Sequence, residues 1–246
     1  MPSPSEERAF YDEDLAFVQA SGFGELASAA MATLIPKLKA RGARQVIDVG
    51  CGAGVSTRAL VDAGFDTLAI DPSAALLELA RQAAPSAEFR QASAYDVALD
   101  GCDAILAIGE ALTYHSPTED AAARLQGFFG RASRALRRGG LLVFDLIETG
   151  EESLNARAWK AGPGWAVLSA STEDSELMQL TRAIETFRDA GGGAYRRRSE
   201  VHHVRLFERG AVSAWLEQAG FDVETATAYG SFALPRRRVA YYATRR

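Results

Sequence analysis

The sequence predicts an α/β fold: a doubly wound, mostly parallel sheet carrying one antiparallel β insert. Three observations predict it. Short β-rich runs alternate with helical patterns over the first 150 residues, which is how βαβ units around a parallel sheet read in sequence. The first run, residues 45–49, stops at three alternate glycines, Gly50, Gly52 and Gly54. After Gly150 the texture changes to longer β-type stretches separated by a glycine turn, a pattern of hairpins rather than crossovers.

In chain order, the first-half strands are expected at 45–49, 66–70, 87–90, 103–108 and 141–147. The best-marked helix between them opens at Ser116-Pro117-Thr118-Glu119, a capping box with proline at the first helical position. Leu125, Phe128, Phe129, Ala132 and Leu136 follow on one face. Arg134, Arg137 and Arg138 occupy the last turn, where the helix dipole favours cations, and Gly139-Gly140 end it. In the second half, 165–170, 176–187 and 195–207 read as strands, with 191–193 as a hairpin turn. Val212, Trp215, Leu216 and Ala219 repeat at helical spacing up to Gly220. Residues 221–228 and 239–244 then form a closing strand pair. The expected organisation is an N-terminal helical lid over 1–40, a core over 41–150 and 210–246, and an antiparallel insert over 151–209 facing the substrate.

Composition narrows the partners. A chain of 246 residues, 48% hydrophobic and 24% charged, suits one soluble globular domain. Its net charge of −5 argues against a nucleic-acid partner, which would want an excess of lysine and arginine. Cys51 and Cys102 form no disulfide framework and lack metal-ligand spacing, so no metal is expected. No apolar run approaches the roughly 20 residues of a membrane span. The acidic N-terminus has no basic region followed by an apolar stretch, so it does not read as a signal peptide, and a cytoplasmic location is expected.

The central motif is Val46-Ile47-Asp48-Val49-Gly50-Cys51-Gly52-Ala53-Gly54. Glycines here let the backbone turn sharply and pass close to a ligand. A dinucleotide fingerprint starting at Gly50 would need glycine at position 55, where Val55 stands. The second element is Asp71-Pro72-Ser73. Asp71 ends the second strand 19 residues beyond Gly52, the distance expected of an acid that grips a ribose diol. Ser93 and Ala94 follow the third strand, where an adenine edge would lie, and Ile108-Gly109-Glu110 ends the fourth.

In this order the motifs resemble the class I S-adenosylmethionine-dependent methyltransferases, well over residues 40–150 and again in the final helix and strand pair. The resemblance implies a Rossmann-like sheet of seven strands with the last antiparallel, and S-adenosyl-L-methionine as cofactor. It implies that Asp48, Gly50, Gly52 and Gly54 surround the methionine part and that Asp71 binds both ribose hydroxyls; Ser93 and Ala94 stand at the adenine edge, Pro72 and Gly109 are further cofactor-binding candidates, and Cys51 reads as a small filler beside the cofactor rather than a nucleophile. Ser93 stands where many members carry an acid. In the remainder, Leu180-Thr181-Arg182, Tyr195-Arg196-Arg197, Glu200-Val201-His202 and Arg205-Leu206-Phe207 resemble the insert of sugar N-methyltransferases and their bacterial relatives, and Tyr11-Asp12 resembles the lid tyrosine of small-molecule members.

For the acceptor side, sugar N-methyltransferases have a candidate base histidine in the loop after strand four, and the resemblance makes His115 its nearest equivalent; the other reading of His115 is a solvated loop histidine beside a helix cap. Tyr11 and Glu110 are the further catalytic candidates, with a cofactor-facing Glu110 as the alternative. In a strand over 195–207, alternate residues share a face. Arg196, Arg198, Glu200 and His202 therefore align, and Tyr114 with Arg196, Arg198 and His202 forms the expected substrate surface for an anionic or polyhydroxy acceptor. The rival reading is a solvated face laced with ion pairs. Residues 236–238 read as a solvated loop. The expected partner is a small molecule, with a homodimer left open. The alternatives are a protein or RNA methyltransferase and a non-catalytic cofactor-binding protein.

Overall fold

The computed structural model describes residues 10–246; the acidic N-terminal stretch read above as lacking a leader lies mostly outside them. Two helices come first, α1 (Glu13–Gly22) and α2 (Glu25–Ala40). The core follows as β1 (Gln45–Val49), α3 (Val55–Asp62), β2 (Asp66–Asp71), α4 (Ala74–Ala83), β3 (Glu88–Gln91), β4 (Cys102–Ala107), α5 (Ala121–Ala135) and β5 (Leu136–Ile147). Four antiparallel strands then form a separate sheet: β6 (Ala156–Gly162), β7 (Trp165–Asp174), β8 (Gln179–Gly191) and β9 (Ala194–Arg205). The chain closes with α6 (Arg209–Gln218), β10 (Phe221–Ala226), the short pair β11 (Ala228–Tyr229) and β12 (Phe232–Ala233), and β13 (Arg238–Arg245).

The main sheet has seven strands in the order β10-β13-β5-β4-β1-β2-β3, and β13, last in the chain, runs antiparallel to both neighbours. Its strands bury alternate residues on two faces. Ile47, Ile105, Leu142 and Phe144 pack with Leu125, Phe128 and Phe129 of α5. Val46, Leu106, Leu141 and Val143 pack with Met31, Leu34 and Leu38 of α2. Strand order reverses between β1 and β4, and in such sheets the crevice outside the carboxyl ends of these strands is where ligands bind. The β6–β9 sheet lies beside that crevice. Its β7 buries Trp165 and Val167 against Leu15 and Val18 of α1, so the N-terminal lid packs on the insert.

Three local expectations are corrected. The helix read from Ser116 begins at Ala121, because Ser116 Oγ is engaged with Thr118 Oγ1 (3.0 Å) and Asp120 caps instead, its Oδ1 accepting from Ala123 N at 3.0 Å. Only the Ser116 N to Glu119 half of the capping box forms, within a turn. That helix ends at Ala135, and Arg137 lies in β5, where its side chain reaches Asp103 and the Arg41 carbonyl. Strand β6 was not anticipated: nearly all its residues are exposed, so this edge strand carries no apolar alternation to read.

Candidate active site

The glycine turn after β1 forms one end of a cleft of about 460 Å³, within the range of small-molecule sites. Gly50, Gly52 and Gly54 all adopt positive φ, at 67°, 55° and 87°, a region side chains disfavour. A Cβ on Gly50 would collide with Ala111, and one on Gly54 would stand 2.9 Å from Ala80 Cα, so those two glycines serve close packing. A Cβ on Gly52 or on Gly109 would meet nothing within 4 Å, and both residues line the cleft: here glycine leaves room for an occupant.

Asp71, at the end of β2, is buried and faces this space. Its Oδ2 accepts from Gly52 N (2.9 Å) and its Oδ1 from Ser73 N (2.9 Å). A carboxylate offers about four lone-pair sites, so two remain for hydroxyl donors in the cleft. Burial raises its pKa to about 6. Pro72, Cys51, Ser93 and Ala94 also line the cleft. Burial pushes the Cys51 thiol up, which keeps it a neutral filler. Tyr95 is also a wall of the cleft, under the Arg124 guanidinium at 4.6 Å.

The opposite end is built from four segments. Tyr11 and Tyr114 bring their hydroxyls to 3.3 Å, and burial raises the pKa of both. Glu110 is buried at φ 67°, a strained conformation for a side-chain-bearing residue. Its amide and that of Gly109 donate to Asp145 at 2.9 and 2.8 Å. Burial raises Asp145 to about 7, opposed by the Gly109 amide and by the Tyr229 hydroxyl. The Glu110 carboxylate takes a bidentate pair from Arg182 (2.7 and 3.2 Å) and a further ion pair from Arg238. Burial lowers the Arg238 pKa to about 10.

Arg182 and Arg238 line the cleft but were not singled out as site residues from sequence. Arg182 pairs in register with His202, so it shares the face on which Arg196, Arg198 and His202 had been grouped; extending that alternation onto β8 would have found it. Arg238 had no local signal. The reading of 236–238 as solvated fits only Arg236, which pairs with exposed Glu152, because Arg237 pairs with half-buried Glu173 and Arg238 starts β13 beside β5.

Several sequence candidates lie elsewhere. Asp48 sits beneath the turn rather than in the cleft, its Oδ2 accepting from Ser56 Oγ and Thr57 Oγ1 at 2.6 Å each. Asp48→Ala is expected to lower the unfolding free energy by about 2–3 kcal/mol, since two buried hydroxyls lose their acceptor while a buried carboxylate is relieved; urea unfolding measures this. His115 is turned away for a reason of parity. Tyr114 bridges Val204 and His115 N donates to the His203 carbonyl, so this segment runs as a strand against β9. Successive side chains then oppose each other: Tyr114 enters the cleft and His115 does not. Arg196 and Arg198 are spent on Asp14 of α1, together with Arg188, so the ion-pair reading of that face prevails for them. His202 is buried behind the tyrosines, its ring 5.1 Å from Tyr11 and 5.7 Å from Tyr114. Among the described residues no cluster of metal-ligating side chains occurs, and no helix is long and apolar enough to cross a membrane.

Comparison with known proteins adds to this geometry. A family model described as a methyltransferase domain matches residues 46–140. Over 200 residues the chain is 26% identical to a protein of Geobacillus sp. (strain WCH70) provisionally named a methyltransferase, covering 76% of this chain and 78% of that one. The solved sugar N-methyltransferase of Streptoalloteichus sp ATCC 53650 superposes with a TM-score of 0.78 at 22% identity, over 100% of this chain and 98% of the other. An amino pentose methyltransferase from Micromonospora echinaspora, solved with S-adenosylmethionine bound, gives a TM-score of 0.73 at 20% identity, over 98% and 99%. At these identities the two solved structures report the fold.

Proposed function

We propose that this chain, a class I S-adenosylmethionine-dependent methyltransferase, methylates a small molecule whose nucleophilic nitrogen, oxygen or sulfur lies against Tyr11 and Tyr114. The observation that carries the proposal is enclosure. Residues of the lid (Phe10, Tyr11, Gln19) and of the insert (Arg182) line the same cleft as the glycine turn, so cofactor and acceptor share one small walled space. The sugar and amino pentose methyltransferases of the same fold support a small acceptor, and the net charge of −5 opposes a nucleic-acid one.

The residues at the glycine end fit the cofactor. Asp71 would accept the ribose hydroxyls on its two remaining lone-pair sites, Ser93 and Ala94 would border the adenine, and Gly52 and Gly109 would leave space for the methionine part, with Gly50 and Cys51 lining it. When bound, the cofactor would supply an electrophilic methyl group on a sulfonium: the acceptor's lone pair would bond the methyl carbon in line as the carbon–sulfur bond breaks and S-adenosylhomocysteine leaves. The chain supplies proximity and alignment. Tyr11 and Tyr114, raised by burial, keep their protons near neutral pH and orient the acceptor by hydrogen bonds. Glu110, its carboxylate engaged by two guanidiniums, balances charge at the acceptor end. Arg182 and Arg238 present that end's remaining positive charge.

S-adenosylhomocysteine is expected to bind with micromolar affinity, about −8 kcal/mol, and to raise the melting temperature, while NAD does neither; NAD heat without S-adenosylhomocysteine heat in calorimetry would contradict the assignment. Release of S-adenosylhomocysteine across a panel of amines, amino sugars, phenols, thiols, peptides and RNA tests the acceptor. Turnover confined to peptide or RNA would replace the small-molecule reading, and binding without any turnover would leave a sensor.

A further inference from the structure

Resting on that reading of the cleft, we infer that Glu200 of β9, backed by His202, is a positioning residue that holds the lid tyrosine Tyr11 over the methyl-transfer site. Tyr11 adopts φ 49°, a left-handed conformation that a bulky residue holds only when its surroundings impose it. The surroundings here act at three points. The Glu200 carboxylate accepts from Tyr11 N (Oε2, 2.8 Å) and from Asp12 N (Oε1, 3.0 Å). The Tyr11 carbonyl accepts from Ser73 Oγ at 2.8 Å. The Tyr11 hydroxyl meets that of Tyr114.

Glu200 is itself held. It is buried, and His202, two residues on and on the same face of β9, places Nε2 at 2.8 Å from Oε2. The His202 ring also packs between Phe10, Tyr11 and Tyr114, so one strand of the insert sets both the backbone and the ring environment of the lid tyrosine. Ser73 connects this latch to the cofactor end. Its amide donates to Asp71 while its hydroxyl donates to Tyr11 and accepts from Leu76 N as the cap of α4. The carboxylate assigned to the ribose and the carboxylate that latches the lid are therefore linked through one serine. Glu200 touches neither cofactor nor acceptor; it acts through Tyr11.

The test compares Glu200→Gln and Glu200→Asp with the unaltered protein, and with Arg197→Ala as a control on the outward face of the same strand, where Arg197 pairs with Glu185. Glutamine has the same shape but one oxygen, so it cannot accept both amides. Hydrogen exchange at Tyr11 and Asp12 should accelerate at least tenfold in Glu200→Gln, while amides of β1, β4 and β5 keep their protection. Stopped-flow release of S-adenosylhomocysteine should accelerate about tenfold with its association rate unchanged. Glu200→Asp, which keeps two acceptor oxygens drawn back by one methylene, should fall between, and Arg197→Ala should match the unaltered protein. A folded Glu200→Gln protein with unchanged exchange at Tyr11 and Asp12 overturns the inference, as does a release rate unchanged despite faster exchange. If the unaltered protein binds no S-adenosylhomocysteine, it is the functional reading that fails, and exchange alone decides whether Glu200 holds the lid.

Discussion

Asp71→Ala is expected to weaken S-adenosylhomocysteine binding at least tenfold while the protein stays folded. Two charge-assisted hydrogen bonds to the ribose would be lost, at roughly 1.5–3 kcal/mol each before the site relaxes, and tenfold corresponds to about 1.4 kcal/mol. The loss has a second source in the free protein, where Gly52 N and Ser73 N lose the acceptor that sets the turn and the α4 cap. Asp71→Asn separates the two, because it preserves shape and one acceptor while removing the charge; its affinity should lie between. Calorimetry on folded variants decides the matter, and an unchanged affinity in Asp71→Ala would place the ribose elsewhere.

The same carboxylate gives the binding a pH dependence of definite sign. Burial raises the free-state pKa of Asp71 to about 6. Ribose hydroxyls donate to the ionised form, so affinity should be flat above pH 6 and fall on acidification, approaching tenfold per unit. Stability of the ligand-free protein should run the other way. An acid whose folded pKa exceeds its unfolded value binds protons more tightly when folded, so stability from this group declines as pH rises from about 4 to about 6. Asp145, raised to about 7, adds a decline of the same sign up to about pH 7. Opposite slopes of affinity and stability across one pH window would tie both to these buried carboxylates.

What was legible in the sequence follows the range of the forces involved. The strand that ends at Val49, the glycine turn and Asp71 sit within one βα unit and the next strand, so local spacing suffices to bring Gly52 and Asp71 within a hydrogen bond. The seven-stranded order was legible only through resemblance, since periodicity names strands but not their neighbours. His115 shows the limit of local reading. Its place after β4 was right, but pairing of residues 114 and 115 with β9 sets side-chain parity, and that pairing joins segments some ninety residues apart. Arg238 was hidden by composition, because a run of three arginines reads as solvated until β13 places one of them inside. Strand β6, exposed along nearly its whole length, offered no burial pattern at all.

Glu110→Ala should produce the largest loss of stability of any single substitution at the acceptor end, about 3–5 kcal/mol in urea unfolding. The carboxylate is buried, as is most of the Arg238 side chain, and Arg182 is largely shielded. Removing the shared anion leaves two guanidiniums facing one another with only Asp145 nearby, at 3.7 Å from Arg238 Nε. Breaking a buried pair in this way costs about 3–5 kcal/mol because the stranded charge has lost its compensation. Backbone strain works in the opposite direction: Glu110 holds φ 67°, and glycine at this position would relieve strain of about 1–3 kcal/mol. Glu110→Gly should therefore be less damaging than Glu110→Ala even though glycine is smaller, an order that transfer of side-chain area alone would not give. Arg238→Met, which removes one of the two cations and fills the space with apolar volume, should partly restore Glu110→Ala. A Glu110→Ala protein within 1 kcal/mol of the unaltered one would mean that Arg182 and Arg238 are not held by this carboxylate. The positive charge assigned to the acceptor end would then be free to leave it.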